Sequence, residues 1–180
     1  MRKLTMPELQ RLTVEEFKTV QKIPVVVVLD NIRSQNNTGS VFRTADAFLL
    51  ERILLCGITA TPPHREIQKT ALGATESVEW QYFNSTIEAA NILREQGYTI
   101  VAVEQVAGST MLDQFVPEPG KKLALIFGNE INGIDNEVLE LTDTFLEIPQ
   151  FGTKHSINVS VAVGIVIWDV FLKLKKNYSL

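Results

Sequence analysis

Residues 25–29, 53–56, 98–103, 123–127 and 145–148 are short, nearly uninterrupted apolar runs without helical period. Runs of this length, rich in Val, Ile and Leu, predict strands buried on both faces of a sheet. Between them the spacing turns helical. Residues 39–49 place Val41, Ala45 and Phe48 on one side, and residues 86–96 end at Gly97, a helix-stopping position. Residues 136–141 and about 156–175 read as two further helices. Residues 57–63 are turn-rich, and the loop after the first strand is read as 30–37. Alternating strands and helices predict an α/β domain, a mostly parallel sheet with helices on both faces, over residues 25–180.

Ahead of it, residues 1–24 read as a helical arm. Thr5 with Glu8 and Thr13 with Glu16 have capping-box spacing, Leu9, Leu12 and Phe17 supply an apolar side, and Pro24 is expected to end it. This arm is the part outside the domain that could assist in binding a large partner.

Composition narrows the class. With 180 residues, 45% apolar and 21% charged, the chain can bury a core without staples, which excludes intrinsic disorder as its main state. The lone Cys56 allows no internal disulfide, and the N-terminus lacks a secretory pattern, so a cytoplasmic setting is expected. The longest apolar run, 159–170, is too short and too interrupted to span a bilayer. Seventeen Lys and Arg against 21 Asp and Glu leave a net charge of −4, so any nucleic-acid site must be a local patch. Cys56, His64 and His155 make neither a zinc set nor a nucleophile pair, and no phosphate-binding glycine loop of the P-loop or dinucleotide type is present.

What remains is three polar clusters at the ends of expected strands, where open α/β sheets bind ligands. They are Asn36-Asn37-Thr38-Gly39 with Arg43, then Gly128-Asn129-Glu130-Ile131-Asn132-Gly133, then Ser156-Ile157-Asn158. Taken singly they also read as an Asn-rich turn, a plain connection and an N-cap at Ser156. Taken together, N-N-T-G-x-x-x-R-T-A-D-A-F, L-I-F-G-N-E-x-N-G-I and I-P-x-x-G-x-x-x-S-I-N-V-S-V-A stand in the order of the three motifs of the SpoU (TrmH-like) branch of the SPOUT RNA methyltransferases. The chain resembles that family from about Val25 to Phe171.

The resemblance implies a C-terminal deep trefoil knot, a homodimer, S-adenosylmethionine as cofactor, and methylation of a ribose 2′-hydroxyl of tRNA or rRNA, with no DNA partner. It carries the catalytic arginine onto Arg43, with Asn37, Glu130, Ser156 and Asn158 as the other catalytic-site residues. Gly128, Ile148 and Ile157 become cofactor contacts. Leu49 departs from the pattern, which usually has glycine there, and motif three reads S-I-N where S-L-N is commoner.

Methyl transfer to a hydroxyl needs in-line alignment and a sink for the hydroxyl proton. The resemblance implies Arg43 as that acceptor, but a guanidinium holds its own proton to a pKa above ~12; the milder alternative is that Arg43 stabilises developing alkoxide charge, with an RNA phosphate sharing the proton. Arg33 and Lys154 flank the expected site and are the RNA contacts. Arg2, Lys3, Arg11, Arg65 and Lys69 are further candidate cations for attracting RNA, each of which taken singly also reads as an ordinary solvated surface residue, and Lys173, Lys175 and Lys176 read as complements of a helix C-terminus. The last helix is apolar on more than one side, which predicts burial against both the sheet and a second subunit. A knotted protein that binds S-adenosylmethionine or RNA without turnover is the alternative class, and base methylation is a third.

Overall fold

The computed structural model describes residues 1–5 and 7–175, so Lys176 lies outside the described residues. Thr13 and Glu16 form the expected capping box, with Thr13 Oγ1 accepting from Glu16 N at 3.2 Å and Glu16 Oε2 from Thr13 N at 2.7 Å. They start helix α1, Val14–Thr19, which buries Phe17 in the core. The Thr5–Glu8 pair supports only a short 3-10 turn, Pro7–Leu9, and Leu9 and Leu12 stay exposed. Pro24 does not end the helix; it is the second residue of strand β1, Ile23–Asp30, and sits where the register against β2 shifts between Ile23 and Val26, an irregularity that tolerates a missing N–H.

The chain continues as α2 (Gln35–Ala47), β2 (Leu50–Cys56), α3 (Arg65–Ala71), α4 (Ala74–Ser77), β3 (Glu79–Phe83), α5 (Thr86–Glu95), β4 (Tyr98–Val103), β5 (Thr110–Met111), β6 (Lys122–Phe127), α6 (Asn136–Leu139), β7 (Thr144–Glu147) and α7 (Val159–Leu174). All seven strands pair in parallel, in the order β3-β2-β1-β6-β4-β7-β5. Residue alternation divides β1 between two cores. Val25, Val27 and Leu29 face α2, α3 and α7, whereas Val26 and Val28 face the side of α5 and α6. Each such side chain contributes about 1.5–3 kcal/mol by leaving water.

Four elements escape sequence reading. The edge strand β3 keeps Glu79, Gln81 and Tyr82 exposed and so shows no apolar run, while α3, α4 and β5 are too short for a period. Two boundaries matter for the site. Helix α2 starts at Gln35, capped by Ser34 Oγ accepting from Asn37 N at 3.2 Å, so Gln35, Asn36 and Asn37 lie on a helix and not in the expected loop. Helix α7 starts at Val159 with Asn158 as N-cap, so Ser156 and Ile157 precede the helix and Ser156 is not its cap. At the exit of α2, Leu49 takes φ of 52°, the left-handed conformation that costs an L-residue about 1–2 kcal/mol and explains why glycine is usual there. Lys173 also differs from expectation. It pairs with Asp169 and donates to Leu112 O at 2.7 Å instead of meeting the last turn's carbonyls.

Candidate active site

Strands β4, β6 and β7 end side by side, and the turns that follow them enclose a cleft of about 560 Å³. The loop after β6 is held by its own residues. Asn129 and Gly133 exchange backbone hydrogen bonds at 3.1 Å, and Asn129 Oδ1 accepts from Ile131 N at 3.0 Å and Asn132 N at 2.9 Å. Gly128 has no alternative here, because a Cβ would lie 2.1 Å from the Gly133 carbonyl carbon and 2.3 Å from Ile134 N. Gly133 takes φ of 70° with Glu104 Oε2 packed where its side chain would be. Just beyond β4, Glu104 Oε2 accepts from Ile134 N at 3.1 Å and fastens the far end of the loop.

Six of the ten residues singled out from sequence line this cleft: Gly128, Glu130, Ile148, Ser156, Ile157 and Asn158. Asn37 reaches its rim from α2. Asn37 Nδ2 donates to Glu130 Oε1 at 3.0 Å, Asn158 Nδ2 donates to Asn37 Oδ1 at 3.2 Å, and Asn158 Oδ1 accepts from Ser160 N at 2.9 Å. One amide thus ties the second cluster to the third.

Partial burial raises the Glu130 pKa, but hydrogen bonds from its own backbone N–H, from Asn37 and from the backbone of Arg33 and Ser34 outweigh it, leaving the carboxyl below its ordinary value.

The other residues are placed differently. Arg33 and Lys154 are exposed and lie outside the cleft lining, although Arg33 N donates to Glu130 Oε2 at 3.3 Å. Arg43 does not line the cleft of its own chain either. Six residues beyond Asn37 on a helix means about 9 Å along the axis and about 240° around it. Its guanidinium therefore opens on a second concavity of about 480 Å³, exposed and without a hydrogen bond to any described residue. A single chain thus unites the second and third clusters but presents Arg43 elsewhere.

Sequence reading missed Glu104 and Glu147, which line the cleft, and the fully buried Asp30. Position at a strand's C-terminal end is the signal that marks all three. Asp30 accepts from Thr86 Oγ1 at 2.5 Å, Asn31 Nδ2 at 3.0 Å and Asp135 N at 3.3 Å, linking β1, α5 and the end of the glycine loop. Burial pushes its pKa up against those donors. Burial also pushes the Cys56 thiol up to about 12, which removes it as a thiolate nucleophile.

Among the described residues no three His, Cys, Asp or Glu side chains are grouped to hold a metal ion, and no described helix is long and apolar enough to cross a membrane.

The cleft has the volume of a cofactor site. Phe127, Leu146, Ile157 and Val159 give it apolar walls, and Glu104, Glu130 and Glu147 give it an acidic lining without Lys or Arg. These features define an α/β protein with an acidic, partly apolar cleft at the C-terminal edge of its sheet. Residues 24–168 match the model of the SpoU rRNA Methylase family, and the chain belongs to that family.

A tRNA (guanosine(18)-2′-O)-methyltransferase of Borreliella burgdorferi is 27% identical over 164 residues, 91% of this chain and 73% of that protein. The crystal structure of an AdoMet-bound rRNA methyltransferase from Sinorhizobium meliloti aligns with a TM-score of 0.78 at 27% identity, covering 91% of this chain and 61% of that one. A TrmH/SpoU tRNA-modifying enzyme of A. aeolicus shares the fold, with a TM-score of 0.79 at 23% identity over 91% of this chain and 81% of that one. Against a relative from Staphylococcus saprophyticus, 27% identical over 165 residues, the chain spans only 64% of the length.

Proposed function

We propose that this chain transfers a methyl group from S-adenosylmethionine to a ribose 2′-hydroxyl of tRNA or rRNA in the cytoplasm, as a homodimer. The observation that carries the reading is the Glu130–Asn37–Asn158 hydrogen-bond chain, which assembles residues from all three motif segments at the rim of one acidic cleft. The 2′-O-methyltransferase name of the Borreliella relative and the AdoMet bound by the Sinorhizobium relative support the chemistry.

Gly128, Ile148 and Ile157, which line the cleft together, would hold the cofactor. The cofactor supplies an electrophilic methyl on a sulfonium. Glu104, Glu130 and Glu147 favour that cation electrostatically. Asn158 offers its amide to the ribose, and Ser156 sits beside it on the same wall.

Arg43 stabilises negative charge growing on the 2′-oxygen as its proton leaves to an RNA phosphate or to water. Since Arg43 lies outside the cleft of its own chain, a second copy must present it. The exposed stripe Val161, Ile165 and Trp168 on α7, spaced i, i+4, i+7, is the face through which two copies would join. Arg33 and Lys154 would contact RNA at the cleft mouth. The same reading includes the trefoil knot that the resemblance to the family implies.

The test is incubation of the purified protein with labelled S-adenosylmethionine and bulk tRNA or rRNA, followed by alkaline hydrolysis. A 2′-O-methyl group blocks cleavage at its own linkage, so label in resistant dinucleotides is expected. Label released in mononucleotides would place the methyl on a base, and binding without transfer would leave a non-catalytic module.

A further inference from the structure

The concavity around Arg43 contains a second cation, contributed by α3. Gly39 lets α3 approach α2 so closely that a Cβ there would lie 2.1 Å from Thr70 Oγ1 and 2.3 Å from Ile67 O. Thr70 Oγ1 donates to Asn36 O at 3.0 Å across the contact, which fixes the neighbouring Lys69 on the same wall as Arg43. The hydroxyls between them are already spent as donors. Ser40 donates to Asn36 O at 2.9 Å and Thr44 to Ser40 O at 3.0 Å. Among the described residues lining this space, the uncommitted N–H donors belong to Arg43 and Lys69. Lys69 meets only Glu66, at 3.8 Å and with both side chains solvated, a pair worth little.

Two cations over a floor of acceptor oxygens fit an anion that also carries hydroxyls. We propose that Lys69 is an RNA-positioning residue, holding a backbone phosphodiester of the substrate beside the ribose that Arg43 serves. This inference rests on the reading of the chain as an RNA 2′-O-methyltransferase. It also answers the charge problem: on a chain of net charge −4, the acidic cleft takes a cation and this neighbouring patch takes the polyanion. Lys serves as a point charge, whereas Arg offers a planar fork, so the two divide anchoring from alkoxide stabilisation.

The experiment compares wild type, Lys69→Gln and Lys69→Arg in bulk-tRNA binding across a salt series, in steady-state methyl transfer and in S-adenosylmethionine titration. Loss of one phosphate contact should flatten the slope of log affinity against log salt by about 0.7 to 0.9. For Lys69→Gln the RNA KM should rise roughly fivefold to tenfold with kcat within about twofold, cofactor affinity unchanged, and Lys69→Arg restoring the wild-type values. An unaltered slope and KM in Lys69→Gln, or an equal loss of cofactor binding, overturns the assignment while wild-type transfer leaves the enzyme reading standing. A wild type that binds RNA without methylating it removes the enzyme reading, and the salt slope then decides Lys69 alone. A wild type that does neither removes both.

Discussion

Asn37 and Glu130, 93 positions apart in sequence, meet with Asn37 Nδ2 3.0 Å from Glu130 Oε1, and that contact sets the direction of a whole chain of amides. An ionised carboxylate can only accept. It therefore turns the Asn37 NH2 toward itself and the Asn37 oxygen toward Asn158, whose own oxygen is left to cap α7 through Ser160 N. The start of the last helix and the asparagine of α2 are thus oriented from one acid in the glycine loop.

Replacing that acid by an amide should break the direction. In Glu130→Gln one oxygen becomes a donor, so either Asn37 Nδ2 or Arg33 N loses its acceptor. We expect severalfold weaker S-adenosylmethionine binding by titration calorimetry and, because the site is exposed, a stability loss of no more than about 1 kcal/mol. The pH dependence has a definite sign. Glu130 is held below its ordinary 4.5, so its contribution is fully present above 4.5 and is lost as pH falls through the lower folded value. The melting-temperature gap between wild type and Glu130→Gln should therefore be open at pH 7 and close below pH 4.5; a gap that widens on acidification contradicts the role.

Gly128→Ala tests the loop itself. The added methyl meets backbone of Gly133 and Ile134 at 2.1–2.4 Å, and backbone cannot step aside as a side chain could. The loop must open, with a destabilisation of about 1–3 kcal/mol by chemical denaturation and loss of measurable cofactor affinity. An alanine variant that binds S-adenosylmethionine normally would show that the loop does not shape the pocket.

Much of this was legible in the sequence, for identifiable reasons. Strands buried on both faces, such as 25–29 and 123–127, announce themselves as apolar runs, and their C-terminal ends mark where ligands bind. The three polar clusters follow those ends in order. Helix starts were less legible. Ser34 caps α2 five residues before its first apolar-periodic stretch, and Asn158 takes the capping role that Ser156 was expected to fill, because several adjacent residues are chemically competent caps. The direction in which Arg43 points could not be read at all. It depends on the turn at which α2 begins and on which side α7 packs, both of them tertiary facts.

Asp30 supplies a buried counterpart to the exposed acid. It is fully buried, and burial holds its pKa above the ordinary 3.8 even with the Thr86 hydroxyl at 2.5 Å. A raised carboxyl works in the opposite sense to Glu130. The native state binds the proton more tightly, so Asp30 lowers stability as pH rises from 3.8 through its folded value. Thr86→Val removes a donor that favours the ionised form, and the cost, about 1.5–3 kcal/mol for a hydrogen bond to a buried charge, applies where Asp30 is ionised. Urea denaturation should show a larger deficit at pH 7 than near pH 4; an equal deficit at both would mean that the hydroxyl serves only as packing.

The position of Arg43 makes a prediction that concerns two chains at once. On the proposed homodimer, Arg43→Ala and Gly128→Ala should each be inactive when purified alone, the first lacking the guanidinium and the second the pocket. Mixed by co-refolding or co-expression with different tags, they form heterodimers in which the Gly128→Ala subunit still owns Arg43 and the Arg43→Ala subunit still owns an intact cleft. If the guanidinium acts across the interface, that one complete site should return up to about half of the wild-type rate per heterodimer, because one of its two sites remains dead. If Arg43 instead swings into its own cleft, neither subunit of the heterodimer is whole and the mixture stays silent. Adding Ile165→Glu to both subunits places a charge in the exposed stripe of α7. Burying two unpaired carboxylates at a symmetric contact costs several kcal/mol. The rescued activity should then vanish together with the dimer in light scattering, and activity that survives in a monomer would refute transfer across subunits.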